Sequence, residues 1–193
     1  MSNKLCFIYT DTNGLHKTEE NVSTKNLYNY ARLIAVHYSI GSYINMKYVE
    51  EKNVSVILKP DTINFDIKYI MKHNITMEIA NEKGINNISA IQQLKDDIKN
   101  VDIIISYDIN HNIKALQVEC FRTAITIDFS KYVLIDIKLF NNTINNSIIN
   151  TCILELIKKL KIKTKTINML EQINLVFFNL YENYIKNIEQ PSV

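Results

Sequence analysis

Residues 4–10, KLCFIYT, form a short run of apolar and β-forming side chains that stops at Asp11-Thr12-Asn13-Gly14. A run of that length closed by turn formers predicts a buried strand, with Asp11 at its end. Residues 16–30 are polar and aperiodic and predict a loop. Strand-like runs follow at 33–40 and 48–58, the second stopped by Lys59-Pro60-Asp61. Between 87 and 99 the period changes: Ile88, Ile91, Leu94 and Ile98 recur at helical spacing behind an Asn cap. Residues 101–107 (VDIIISY) then predict a buried strand, Ile113, Leu116, Val118 and Phe121 a helix, 132–137 a short strand, and 148–160 and 167–188 two closing helices. Three leading strands followed by alternating helices and strands give an α/β fold, a mixed central sheet of about five strands flanked by helices. Sites in such sheets gather outside strand ends, which singles out Asp11, the turn at 107–112 and Asp136.

Composition narrows the class. At 193 residues with 47% apolar side chains, the chain can bury one full core. No repeat or linker divides it, so residues 1–188 read as a single domain and 189–193 as a short C-terminal tail. A formal charge of +2 is too small to imply a polyanion partner, so any nucleic-acid argument must rest on where the lysines sit. Cys6, Cys120 and Cys152 are odd in number, widely spaced and without a CxxC pattern, which argues against a disulfide framework or a structural zinc and for a reducing compartment. With no signal-like N-terminal stretch and no uncharged run of roughly 20 residues, the expectation is an intracellular protein, cytoplasmic or nuclear, without a membrane partner. The abundance of Asn, Ile and Lys is what AT-rich coding produces, as in a large DNA virus or an AT-rich microbe.

Several segments carry a resemblance, in order along the chain. Phe7-Ile8-Tyr9-Thr10-Asp11-Thr12-Asn13-Gly14-Leu15 is an apolar strand ending in a pattern close to Asp-x-Glu-x-x-Gly-Leu, and Ala31-Arg32-Leu33-Ile34 suits a second strand. Ile57-Leu58-Lys59-Pro60, Lys72-His73-Asn74-Ile75-Thr76 and Gly84-Ile85 suit a link from third strand to helix. Ile104-Ile105-Ser106-Tyr107-Asp108-Ile109-Asn110-His111-Asn112 falls where His-Asn-x-x-Phe-Asp would lie. Leu134-Ile135-Asp136-Ile137-Lys138-Leu139 follows as a strand, and Ile167-Asn168-Met169-Leu170-Glu171-Gln172 stands where His-x-x-x-x-Asp would. In this order and spacing the chain resembles the DnaQ-like, DEDDh 3′→5′ exonucleases, and the resemblance implies an RNase H-like fold.

In that family four carboxylates converge on two Mg²⁺ or Mn²⁺ ions, one generating hydroxide and the other stabilising the leaving oxygen, with a His as general base. Carried over position by position, Asp11 keeps the first carboxylate and the one expected metal contact. Asn13, Asn112 and Gln172 replace the other three, and Ile167 replaces the His. An amide offers a metal one neutral oxygen, and Ile167 moves no proton. The resemblance therefore implies a catalytic site that keeps its shape and has lost its charge, a pseudoenzyme with no cofactor. The competing expectation is an active enzyme with a relocated Mg²⁺ or Mn²⁺ site at Asp108, Asp136 or Glu171. Asp108 and Asn112 share a helical face, but Glu171 is turned about 100° from Gln172. The plainer reading of these carboxylates is as caps and turn residues.

Lys158, Lys159, Lys161, Lys163 and Lys165 crowd the segment before the last motif. They suit a phosphate backbone beside the cleft, and equally a solvated helix end whose cations complement the macrodipole. Tyr28, Tyr30, Tyr38, Tyr43 and Tyr48 are expected to pack in the core or at sheet edges. His16, His37, His73 and His111 lack metal-ligand spacing, so packed or surface roles are expected, for His111 included. Phe177, Phe178, Leu180, Tyr181 and Tyr184 give the last helix a broad apolar surface, part of it for the sheet and the rest for a dimer or partner. Three functions follow as expectations: an inactive nucleic-acid-binding or protein-assembly module, an active exonuclease with a relocated metal, or a structural, dimeric or host-factor-binding scaffold.

Overall fold

The computed structural model describes residues 4–45, 47–61, 73–139, 153–166 and 168–189, the last as backbone only beyond 182. Its centre is β1, Lys4–Thr12, which pairs antiparallel with β2, Leu33–Ile44, and parallel with β4, Ile103–Ser106. β3, Lys47–Ile57, adds to β2 through a hairpin, and β5, Val133–Asp136, adds parallel to β4. The resulting five-stranded mixed sheet has the order β3-β2-β1-β4-β5. Asn45 takes the left-handed conformation (φ 50°) in the β2–β3 turn, which Asn tolerates better than most residues. At the bulge between Ile40 and Gly41, a Cβ on residue 41 would lie 2.2 Å from the Val49 carbonyl oxygen, so only glycine fits that approach.

Helices cover both faces. α1, Met77–Lys83, starts at a Thr76 cap and stops at Gly84; α2, Asn87–Ile98, starts at Asn86. α3 is Ile109–Thr123, α4 is Ile153–Lys159 and α5 is Met169–Glu189. Because side chains alternate along a strand, Cys6 and Ile8 of β1 join Ile91, Leu94, Ile98 and Leu116 of α2 and α3 in one core. Leu5 and Phe7 join Leu156 of α4 and Ile173, Val176, Phe177 and Leu180 of α5 in the other. Tyr9 and Asp11 continue the second face.

The expected sheet, with three leading strands and then alternation, is the observed one. Differences lie in the detail. β1 runs on through Thr12, so Asp11 is inside the strand. α1 was not expected from periodicity, since it is too short to show one; its signal was the Thr76 cap and the Gly84 stop. Phe121 is 46% exposed, because α3 turns that side away from the core. Tyr28 is exposed, against the packing expected of it, while Tyr30 and Tyr38 are buried. Phe178 and Tyr181 rest on Tyr43, so part of the apolar surface reserved for a partner is covered within the chain. Residues 148–152 with Cys152, the tail from 190, and the side chain of Tyr184 lie outside the described residues.

Candidate functional site

The ends of β1 and β4, the start of α3 and the faces of α4 and α5 enclose a cleft of about 500 Å³. Asp11, Thr12, Asp108, His111, Asn112 and Gln172 are among its polar lining, with Tyr107, Ile153, Leu154 and Met169 among the apolar walls. Three positions widely separated in sequence, Asp11, Asn112 and Gln172, thus converge from β1, α3 and α5. Asn13 does not line the cleft; its Oδ1 accepts from the Arg32 amide at 2.8 Å, prolonging the β1–β2 pairing. Ile167 lies outside the described residues.

Asp11 is 8% exposed and both its oxygens are engaged. The Tyr9 hydroxyl donates to Oδ1 at 2.8 Å, and His37 Nε2 lies 3.0 Å from Oδ2. His37 Nδ1 is in turn 2.8 Å from Ser55 Oγ. Burial first, and then the Asp11 charge, push the Tyr9 phenol well above its ordinary pKa, so it stays a donor.

Asn112, 2% exposed, is a joint between three elements. Its Oδ1 accepts from the backbone amide (2.8 Å) and hydroxyl (2.7 Å) of Thr10. Its Nδ2 stands 2.9 Å from Ser106 Oγ, 3.0 Å from the Tyr107 carbonyl and 2.9 Å from the Asp108 carbonyl. A carboxylate could not donate to these acceptors, so the surroundings call for an amide. Gln172, also buried, donates from Nε2 to the Thr166 carbonyl at 3.0 Å and ties down the approach to α5.

The carboxylates of the competing reading are engaged as caps. Asp108, in the left-handed conformation (φ 60°), caps α3 by accepting from the His111 amide at 3.4 Å. Asp136 accepts from the amides of Asp108 (3.1 Å), Ile109 (3.0 Å) and Lys138 (2.9 Å). Glu171 accepts from the Thr166 hydroxyl and lines a different recess, beside Glu50. Among the described residues no group of three or more His, Cys, Asp or Glu side chains is arranged to hold a metal ion.

Lys158 and Lys159 close α4, and Lys161, Lys163 and Lys165 follow it toward α5; all five are exposed. None lines the cleft, although Ile153 and Leu154 of the same helix do.

Three histidines for which packed or surface roles were expected belong to the site, His73 among the residues lining the cleft. His37 reaches Asp11, and His111 lines the cleft with Nε2 3.3 Å from Thr12 Oγ1. His16 stacks on His111 with ring centres 4.3 Å apart. The Ala31 amide donates to His16 Nδ1 at 3.2 Å, so Nε2 carries the proton and donates to the His111 carbonyl at 3.0 Å. Burial holds the His16 pKa below its ordinary value. Cys120 is buried and its thiol is pushed up to about 11 by burial, which leaves it unreactive.

No family model matches this sequence, and no curated protein does. Solved structures do. An apo exonuclease I matches with a TM-score of 0.70 at 12% identity, covering 97% of this chain and 45% of that one. E. coli exonuclease I in complex with a dT13 oligonucleotide matches at 0.67 and 13% identity, covering 98% and 42%. Exonuclease I from Methylocaldum szegediense matches at 0.68 and 13%, covering 98% and 41%. These likenesses show the fold: the chain has the mixed five-stranded α/β architecture of these exonuclease I structures. It spans less than half the length of the exonuclease I chains named here. Among the described residues no helix is long and apolar enough to cross a membrane.

That fold implies a pair of divalent ions, and the cleft's donor set does not fit them. Asp11 already engages Tyr9 and His37, Asp108 caps α3 and lies 3.8 Å from Lys138 Nζ, Asn112 commits its oxygen to Thr10, and Gln172 brings an uncharged amide. Two dications need several free anionic oxygens around them.

Proposed function

We propose that the chain is a catalytically silent exonuclease-fold module that holds single-stranded nucleic acid in the cleft. The observation that carries this is Asn112, whose amide is committed on both sides where a two-metal site would need a carboxylate. With fewer charges the cleft repels phosphates less. Tyr107, Leu154 and Met169 give apolar walls for a base, and the exposed Lys158, Lys159, Lys161, Lys163 and Lys165, on and after the helix whose Ile153 and Leu154 line the cleft, are the cations for the backbone. The dT13 complex of E. coli exonuclease I supports the choice of a single strand.

A second reading has one observation on its side: Asp11 and Asp108 line the same cleft. It is an active exonuclease with Mg²⁺ or Mn²⁺ held at Asp11, Asp108 and Asp136. In the third reading the domain serves protein assembly, as a dimer or with a protein partner; an exonuclease I structure in complex with SSB-Ct is the parallel.

The test incubates the protein and Asp11→Ala with 5′-labelled single-stranded and duplex DNA and RNA in Mn²⁺, following binding and 3′ shortening. Salt-sensitive binding without shortening is the expected result. Shortening that Asp11→Ala abolishes establishes the enzyme instead, and no binding to any strand turns the search to protein partners.

A further inference from the structure

A separate recess of about 320 Å³ lies where α3 ends and α2 begins, lined by Arg32, Lys59, Asp61, Asn86, Arg122 and Thr123 among others. α3 has 15 residues, so the recess stands about 22 Å from the cleft at the helix's other end. Three cations face it. Arg32 is held from behind by buried Glu119, Nε to Oε1 at 2.8 Å, and from the front by Asp61 through a fork of two bonds at 3.1 and 3.2 Å. The Asp61 side chain is 55% exposed, so this front partner sits at the solvent boundary.

The other two cations are less committed. Arg122 makes one long hydrogen bond, Nη2 to the Leu27 carbonyl at 3.5 Å, and among the described residues neither it nor Lys59 has a carboxylate partner. Desolvation, and after it the neighbouring Arg32 charge, lower the Arg122 pKa against the opposing pull of the Glu119 and Asp61 carboxylates. Asn86 spends its Oδ1 capping α2 through the Ile88 amide at 2.8 Å, which leaves its NH₂ group as the donor it can offer.

We infer that this recess binds a phosphate group, held by Arg122 and Lys59, with Arg32 exchanging the Asp61 carboxylate for two phosphate oxygens. The fork that Asp61 occupies is the geometry in which a guanidinium grips either group, and a phosphate brings more charge to it. Asp61 is the competitor that such a ligand displaces. The site needs no metal and does not depend on what the cleft holds. Its phosphate comes either from the end of a nucleic-acid strand or from a small phosphorylated molecule.

Calorimetric titration of the intact protein with inorganic phosphate, at ionic strength balanced with sodium chloride, tests this. Saturable binding is expected, at least tenfold weaker in Arg122→Gln and in Lys59→Gln, both surface changes, and severalfold tighter in Asp61→Asn. Titration with a 5′-phosphorylated strand and its unphosphorylated twin separates the sources. A preference for the phosphorylated strand that Arg122→Gln removes assigns the group to a strand end; equal binding of the two assigns it to a small molecule. No saturable phosphate binding, or binding indifferent to Arg122→Gln and Lys59→Gln, or weakened in Asp61→Asn, overturns the inference.

Discussion

Asp11 Oδ2 and His37 Nε2 lie 3.0 Å apart across the β1–β2 pair, and the other His37 nitrogen is 2.8 Å from Ser55 Oγ on β3. With Tyr9 on Oδ1, the carboxylate belongs to a chain of polar side chains crossing three strands. Asp11 is therefore a structural residue of the sheet as well as one of the acids lining the cleft. Removing His37 leaves a largely buried carboxylate with one partner fewer. His37→Ala is expected to cost about 1.5–3 kcal/mol, the range for a hydrogen bond to a charged group. Tyr9→Phe should cost a similar amount, and because both partners serve one carboxylate the double variant should depart from the sum of the singles. Urea midpoints of the four proteins measure this; additive and negligible shifts would mean that the chain contributes nothing.

Placing a carboxylate at residue 112 should harm the fold. In Asn112→Asp, the Tyr107 and Asp108 carbonyls lose the side-chain donor and face a negative charge at a 2% exposed position. The expected loss is about 2–4 kcal/mol, from unsatisfied buried acceptors and an uncompensated buried charge. Thermal unfolding reads it directly. An Asn112→Asp protein as stable as the parent would show that the amide network is optional, and would remove the main support for a silent site.

The contrast between Asn112 and His37 shows what a sequence can carry. Asn112 was legible because its place is fixed by local spacing, a strand end followed by a helix start. β1, β2 and β4 were legible for a similar reason: burial on both faces writes apolar runs into the chain, whereas the more exposed β3 and β5 showed only as short runs of β-forming residues. His37 was not legible as a site residue, because its partnership with Asp11 depends on register, with Tyr9 opposite His37 and Asp11 opposite Ala35. A shift of one residue would have sent that ring to the other face. Asp136 was read as a turn or cap residue or as a stray ligand. Its three backbone donors come from chain segments 28, 27 and 2 residues away, a closure that only folding produces.

Half-buried His16 should make stability depend on pH. Its folded-state pKa is lowered by burial, while in the unfolded chain it titrates near its ordinary value of 6.5. Below that value the unfolded chain binds a proton that the folded protein refuses, so unfolding gains and stability falls. The contribution is therefore complete above about pH 6.5 and is lost as pH drops from there toward the folded-state pKa. Denaturant midpoints from pH 8 to pH 5 should decline, and His16→Gln should flatten the decline. An unchanged slope in His16→Gln would assign the acid sensitivity to other groups.

Arg32 and Glu119 form a buried ion pair, with the Glu119 side chain fully excluded from solvent and Nε to Oε1 at 2.8 Å. Oε1 also stands 3.4 Å from the Leu33 amide, so the pair fixes the start of β2 against α3. Charges this deep contribute little net stability as a pair, because desolvation offsets their attraction, but losing one partner strands the other. Glu119→Ala is expected to cost about 3–5 kcal/mol, and Glu119→Gln less, since its amide oxygen can still accept from Nε. The double variant Arg32→Met/Glu119→Leu should recover most of the loss by replacing the pair with apolar groups of similar volume. Guanidinium chloride unfolding of all three separates two roles. Recovery in the double variant means that the single changes are costly through the unpaired charge. Failure to recover means that the hydrogen bonds to β2 hold the start of the strand, and the recess in front of Arg32 would then lose its shape along with them.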